Sequence, residues 1–175
     1  HSIEQIIVQS LFADGFIRYQ LRESEREPGL QVLALAEQIL PDSADSMSWG
    51  VSDWGMQMTL SWSVPDRIGA AVRGFVASLY RKAVIAPSQR VRPIYAILPG
   101  GPKIIDRVRE ILELSDEQVQ TSRDVLFDHG NMSSATLPHV WMRLVGDSRV
   151  PPGTLIVNLA FGPGLTVCGG LFRNQ

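Results

Sequence analysis

The sequence predicts an α/β fold built in layers, with a mixed sheet and helices packed on it. Three observations lead there. Apolar segments with the period-two spacing of strands alternate along the chain with amphipathic stretches at helical spacing. Turns bearing glycine or proline separate them. Of the 175 residues, 45% are hydrophobic and 19% charged, a composition that can bury one core.

The elements follow in order. Ile3 to Phe12 is apolar and reads as a short helix, broken by Ala13-Asp14-Gly15. Phe16 to Leu21 alternates apolar and polar residues and reads as a strand. Glu23 to Gly29 is a charged turn, and Leu30 to Leu40 a strand. Pro41 to Asp53 reads as a polar loop. In Trp54 to Trp62, the residues Trp54, Met56, Met58, Leu60 and Trp62 fall at period two and predict a strand. Val64-Pro65-Asp66 opens a helix reaching about Val84, since proline and an acidic residue suit a first helical turn. Pro87 to Arg92 is a basic linker, and Ile94 to Leu98 a short strand. Pro99 to Pro102 is a tight loop before an amphipathic helix over Lys103 to Leu114. Ser115 opens a polar turn able to begin another helical turn. Met132 to Val145 reads as helix interrupted by Pro138, which is expected to kink it. Gly153 to Ala160 and Leu165 to Phe172 are strands that pair through the turn at Phe161 to Gly164.

Charge and composition exclude some classes. A net charge of −2 gives no electrostatic reason to expect nucleic acid or an anionic membrane. No apolar run is long enough to cross a bilayer, and no leader pattern opens the chain. His1-Ser2, without an initiator methionine, suggests a processed, tagged or excised chain. The single cysteine, Cys168, rules out an internal disulfide and any cysteine-based metal cluster, and fits a reducing cytoplasm.

Several stretches can carry chemistry, and each has an ordinary reading. "LPGGPKII" joins a strand to a helix; its free N–H groups and Lys103 suit an anion, or the loop is only a tight connection. "AFGPGLT" borders two strands and is otherwise a hairpin turn. In "FDHGNMSSA", Asn131 is either a helix cap or an amide donor aimed into a pocket. His129 and His139 are candidate proton carriers, or else surface and helix histidines. Cys168 has no base adjacent in sequence and reads as a small hydrophobe.

"LPGGPKII", "DHGNMSSA" and "FGPGLT", in this order and with these separations, resemble the C-terminal half of a thiolase-superfamily enzyme, and above all the type III polyketide synthases of the chalcone-synthase kind. "QSLFADG" is similar to that family's "LFGDG" segment, and "ILPDS" and "WGMQMTLSWSVP" fit the stretch that follows. The resemblance covers nearly the whole chain. It implies one half of a five-layer thiolase fold: a single C-terminal domain over residues 1–175, with a mixed five-stranded sheet and the nucleophile-bearing N-terminal half absent. It also implies decarboxylative Claisen condensation of acyl-CoA with malonyl-CoA. Asn131 matches the oxyanion-holding asparagine. Phe12 matches a pocket-gating phenylalanine, and Met58 stands where plant members carry a second pocket aromatic. Gly100 and Gly101, with Pro102 and Lys103, match the loop past which the pantetheine arm runs. Phe161, Gly162, Pro163 and Gly164 match the loop bordering the cavity. Coenzyme A thioesters are implied as substrates, with no permanently bound cofactor and no metal. The implied partners are the chain's own N-terminal half and a second copy, as homodimer or by self-association of an exposed apolar face, in the cytoplasm, with no nucleic acid and no membrane.

Two departures stand out. The family reads "HPGGP" where this chain has "LPGGP", so Leu98 occupies the catalytic histidine's position. Leucine can neither donate a hydrogen bond nor share a proton with a thiolate. The nucleophilic cysteine belongs to the other half, and Cys168 does not match it, so the chain alone is expected to be inactive. The rival expectations are an acyl-CoA-binding or scaffold domain that has lost its chemistry, and half of a beta-ketoacyl-carrier-protein synthase III-like enzyme. His129, expected on a neighbouring loop, is a candidate to replace the lost imidazole.

Overall fold

The computed structural model describes residues 3–23, 28–53 and 55–175. Its helices are α1 (Ile3–Leu11), α2 (Val64–Lys82), α3 (Pro102–Leu112), α4 (Asp116–His129) and α5 (Thr136–Val145). Its strands are β1 (Leu30–Ile39), β2 (Met47–Ser52), β3 (Gly55–Leu60), β4 (Ile94–Ile97), β5 (Leu155–Gly162) and β6 (Thr166–Asn174). Four strands form one sheet in the order β1-β6-β5-β4. β6 runs antiparallel to both neighbours, while β4 and β5 are parallel, so the sheet is mixed. β2 and β3 form a separate antiparallel hairpin.

Side chains of β5 alternate between two cores, as strand geometry requires. Val157 and Leu159 join the core under α2 and α3, with Val72, Phe75, Leu79, Ile105 and Val108. Ile156 faces the opposite way, into a second core with Val140 and Leu144 of α5 and Phe172 of β6. The sheet is thus covered on both faces. At its β4 edge, Ser122 of α4 turns its hydroxyl oxygen to the Ile97 N–H at 2.9 Å, blunting an edge that would otherwise offer a free donor.

The mixed α/β layers are those the sequence predicts, and the differences lie in detail. Among the described residues the main sheet has four strands, not five. Phe16 to Leu21 pairs with no strand of the described residues, and Phe16 and Leu21 stay 86% and 85% exposed, so an alternating run found no edge to join. The supposed loop over 41–53 contains β2, because Met47 and Trp49 share one hairpin face with Leu60 and Met58, their cross-strand partners. Trp54, assigned to that strand, lies outside the described residues, as do His1, Ser2 and residues 24–27 of the charged turn. α4 is a full helix where only a turn was expected. It buries just Val119, Ser122 and Val125, too few positions to mark a helix in sequence, and at its start the Gln118 Oε1 reaches back to accept the Ser115 N–H at 3.0 Å. Pro138 falls in the first turn of α5, where its missing N–H would have had no intrahelical acceptor, so the helix begins there without a break.

Candidate active-site cavity

One cavity of about 610 Å³ opens where α1, the β2–β3 hairpin, the start of α2 and three loops converge. The loops follow β4, α4 and β5, all reaching the same end of the fold.

Asn131 is the most constrained residue of the wall. Its N–H donates to the Leu11 carbonyl at 2.7 Å, and its carbonyl accepts the Ala13 N–H at 2.9 Å. This pins the end of α1 to the turn after α4. Gly130 makes the approach feasible: its φ of +71° suits glycine, and a Cβ there would stand 3.1 Å from the Leu11 oxygen and 3.2 Å from the Ala13 Cβ. The Asn131 side chain is 4% exposed. Its Oδ1 accepts the Ser133 N–H at 2.9 Å and lies 3.5 Å from the Thr136 hydroxyl, so the residue caps the short turn before α5. That leaves Nδ2, which among the described residues has no hydrogen-bond partner, while the residue lines the cavity. Cap and available donor are therefore two atoms of one amide.

Gly130→Ala is expected to destabilise the protein by about 2–4 kcal/mol, since φ and contact are both violated. Gly74→Ala, mid-helix in α2 with nothing within 4 Å of the added Cβ, should instead stabilise by up to about 1 kcal/mol. Chemical denaturation of both variants is the measurement; equal effects would show that the Gly130 geometry is not required.

Leu98 follows β4 and extends its ladder, donating its N–H to the Leu159 carbonyl at 2.7 Å, with its side chain on the cavity wall. The chain then folds back, Gly100 N–H to Leu98 carbonyl at 2.9 Å, before Pro102 opens α3. An added Cβ at Gly100 or Gly101 would meet nothing closer than 3.4 Å. Packing within this chain does not demand these glycines; what they do is leave backbone bare on the cavity side. Lys103 places its ammonium over the Trp62 ring, 4.9 Å from the centroid, with both residues lining the cavity. Phe12, Met58, Pro102, Phe161, Gly162 and Pro163 line it too, and Gly164, at φ +131°, turns the chain just beyond it.

The two histidines are not brought there. His129 ends α4 on the surface, its Nε2 3.3 Å from the Arg143 guanidinium, and its ring packs 5.5 Å from that of His139. His139 sets its Nδ1 against the Ala135 carbonyl at 2.8 Å. No imidazole among the described residues lines the cavity.

Sequence reasoning missed two groups that do. Trp49 stands opposite Met58 across the hairpin and meets Phe12 edge-on, with ring centroids 6.2 Å apart. The "MSW" spacing of Met47 and Trp49 was the available signal. Cys168 is half-buried on the wall, beside Glu37 in the β1–β6 register. Burial, seconded by the Glu37 carboxylate, pushes its thiol above the usual range. Because the neutral thiol is favoured, alkylation by iodoacetamide should follow a pH profile displaced upward from that of a free cysteine, and Glu37→Gln should move it back partway. A profile at or below that of a free cysteine would contradict this environment.

The layered fold and the amide-bearing cavity define a thiolase-like α/β domain. The chain belongs to the chalcone and stilbene synthase family, whose C-terminal domain it matches over residues 31–174. It is 32% identical to type III polyketide synthase C of Arabidopsis thaliana, over 97% of this chain and 46% of that protein. It is 29% identical to probable polyketide synthase 1 of Dictyostelium discoideum, over 98% of this chain and 6% of that protein. The chain therefore spans less than half the length of these curated relatives. Among solved structures, it superposes on the C-terminal type III polyketide synthase domain of Steely1, a type I/III hybrid from Dictyostelium, with a TM-score of 0.86 at 27% identity, covering 99% of this chain and 49% of that one. A type III pentaketide synthase from Neurospora crassa gives 0.79 at 27% identity, over 87% and 43%. No helix of the described residues is long and apolar enough to cross a membrane.

Proposed function

We propose that this chain is the C-terminal half of a type III polyketide synthase-like acyltransferase, which joins an acyl group from coenzyme A to the two-carbon unit of malonyl-CoA. The observation behind the reading is the buried Asn131 amide with an unpartnered Nδ2 on the wall of an apolar cavity. In such a condensation malonyl-CoA loses CO₂. The electron pair left behind makes an enolate whose carbon attacks the acyl carbonyl, and the thiolate that carried the acyl group departs. The enolate oxygen and then the tetrahedral oxygen carry the developing charge. A donor already fixed at that point stabilises them without reorganising.

Asn131 supplies the donor. The bare backbone at Gly100 and Gly101 and the Lys103 ammonium line the route for the pantetheine arm and its phosphates. Phe12, Met58 and the Phe161–Gly164 loop shape the space for the acyl group. The nucleophile comes from an N-terminal half of the same protein, and Cys168, its thiol pushed up, is not that group. The substrates are coenzyme A thioesters; no resident cofactor is invoked, and the isolated half is inactive.

Leu98 favours a second reading, in which the domain binds acyl-CoA or serves as a scaffold without condensing anything. The separating experiment supplies the full-length polypeptide with malonyl-CoA and a panel of acyl-CoA starters and follows CO₂ and extended products by mass spectrometry. Extended products support the synthase. Tight acyl-CoA binding with neither CO₂ nor product supports the scaffold.

A further inference from the structure

We infer that the acyl group this cavity takes is a long, unbranched aliphatic chain without polar substituents, laid in the slot between α1 and the β2–β3 hairpin; this rests on the thioester reading above. The register places Met47 opposite Leu60 and Trp49 opposite Met58, so the four side chains share one hairpin face. α1 lies against that hairpin, fixed where the Gln5 side-chain amide donates to the Met58 carbonyl at 3.1 Å, and lends Ile7 and Leu11 to the same cavity. The slot is therefore apolar on both sides.

Its polar groups are arranged unequally. The Ser10 hydroxyl donates to the Ile7 carbonyl at 2.8 Å, the Thr166 hydroxyl donates to the Pro163 carbonyl at 3.0 Å, and the Ser61 hydroxyl is engaged with that of Ser63 at 2.9 Å. Of the amide and hydroxyl groups on the wall, those with no partner among the described residues, the Asn131 Nδ2 and the Ser133 and Ser134 hydroxyls, gather on the turn after α4. The free amide and hydroxyls sit at one end, and the walls of the slot are mostly hydrocarbon, thioether and indole ring. A hydroxyl carried down the slot loses water and finds few partners in return, with the Ser10 and Thr166 hydrogens already engaged. An unsubstituted chain gains with each buried methylene, and the thioethers of Met47 and Met58 adapt to its kinks.

The test is calorimetric titration of the full-length polypeptide with coenzyme A, hexanoyl-CoA, dodecanoyl-CoA and a hydroxylated aromatic acyl-CoA, below micellar concentrations. Dodecanoyl-CoA is expected to bind at least about tenfold more tightly than hexanoyl-CoA. The hydroxylated aromatic thioester is expected to gain nothing over hexanoyl-CoA. Leu60→Gln should erase the chain-length gain and leave the affinity for coenzyme A unchanged; Met47→Gln, on the same face, gives the same readout should the first variant fail to fold. Equal affinity for the two aliphatic thioesters overturns the inference, as does preference for the hydroxylated ring or a gain that survives both substitutions. Should free dodecanoate bind as tightly as dodecanoyl-CoA while coenzyme A does not bind, the thioester reading falls and the aliphatic slot stands.

Discussion

Leu98→His raises the rate of decarboxylative condensation by the full-length polypeptide by at least about 10²-fold. Position 98 already has the geometry such a residue needs. It follows the last residue of β4, its backbone is fixed to Leu159, and its side chain faces the cavity shared with Asn131. What it lacks is a proton to donate. An imidazole there adds a second donor for the oxyanion and a base for the nucleophilic thiol, and losing one oxyanion donor alone costs on the order of 10²–10³ in rate. Leucine and histidine are close in size, so the exchange does not require the wall to move. Turnover by the native protein equal to that of the variant would mean that the developing charge is met by some other group. Failure of both to turn over would leave the domain as a binder of acyl thioesters.

In the Leu98→His background, Asn131→Ala lowers the condensation rate by about 10²–10³-fold. This substitution removes two things at once, the Nδ2 donor and the Oδ1 that accepts the Ser133 N–H. Asn131→Asp separates them. The aspartate keeps an oxygen for Ser133 but puts negative charge where the proposed oxyanion would form. Rate is therefore expected to be lost in both variants, while stability is lost mainly in the alanine, by about 1 kcal/mol. An aspartate variant that keeps its rate would remove the amide from the chemistry and leave it a cap. Denaturation midpoints read beside the rates make the distinction.

Much of this was legible in the sequence alone. The helix from Val64 announces itself by proline and aspartate in its first turn. The β5–β6 pair does so by two apolar runs around Phe161–Gly164. Asn131 was legible as an amide beside a glycine, with cap and donor both visible as tasks; the structure adds that the cap uses Oδ1 and that Nδ2 has no partner among the described residues. The illegible parts share a cause: they depend on neighbours distant in sequence. Phe16 to Leu21 has the alternation of a strand, but alternation does not supply an edge to pair with. α4 has little periodicity because it is held by a cap and by contact with β4 rather than by a broad apolar face. Trp49 hid in a polar stretch, and only its register with Met58 makes it part of a wall. His129, two residues from Asn131, was close in sequence and wrong in direction, since the turn at Gly130 sends the two side chains apart.

The backbone bridge between Leu11–Ala13 and Asn131 has a consequence for the order of assembly. The segments it joins lie far apart in sequence, with β1, the β2–β3 hairpin, β4 and three helices between them. A contact of such sequence separation has its closure entropy to overcome before it can stabilise anything. On the ribosome α1 can settle on the β2–β3 hairpin, but its end at Leu11–Ala13 is pinned only once the turn carrying Asn131 has emerged. The Asn131 amide takes its place on the wall only then, and a chain stalled before that turn would display a hairpin and helix with no amide donor beside them.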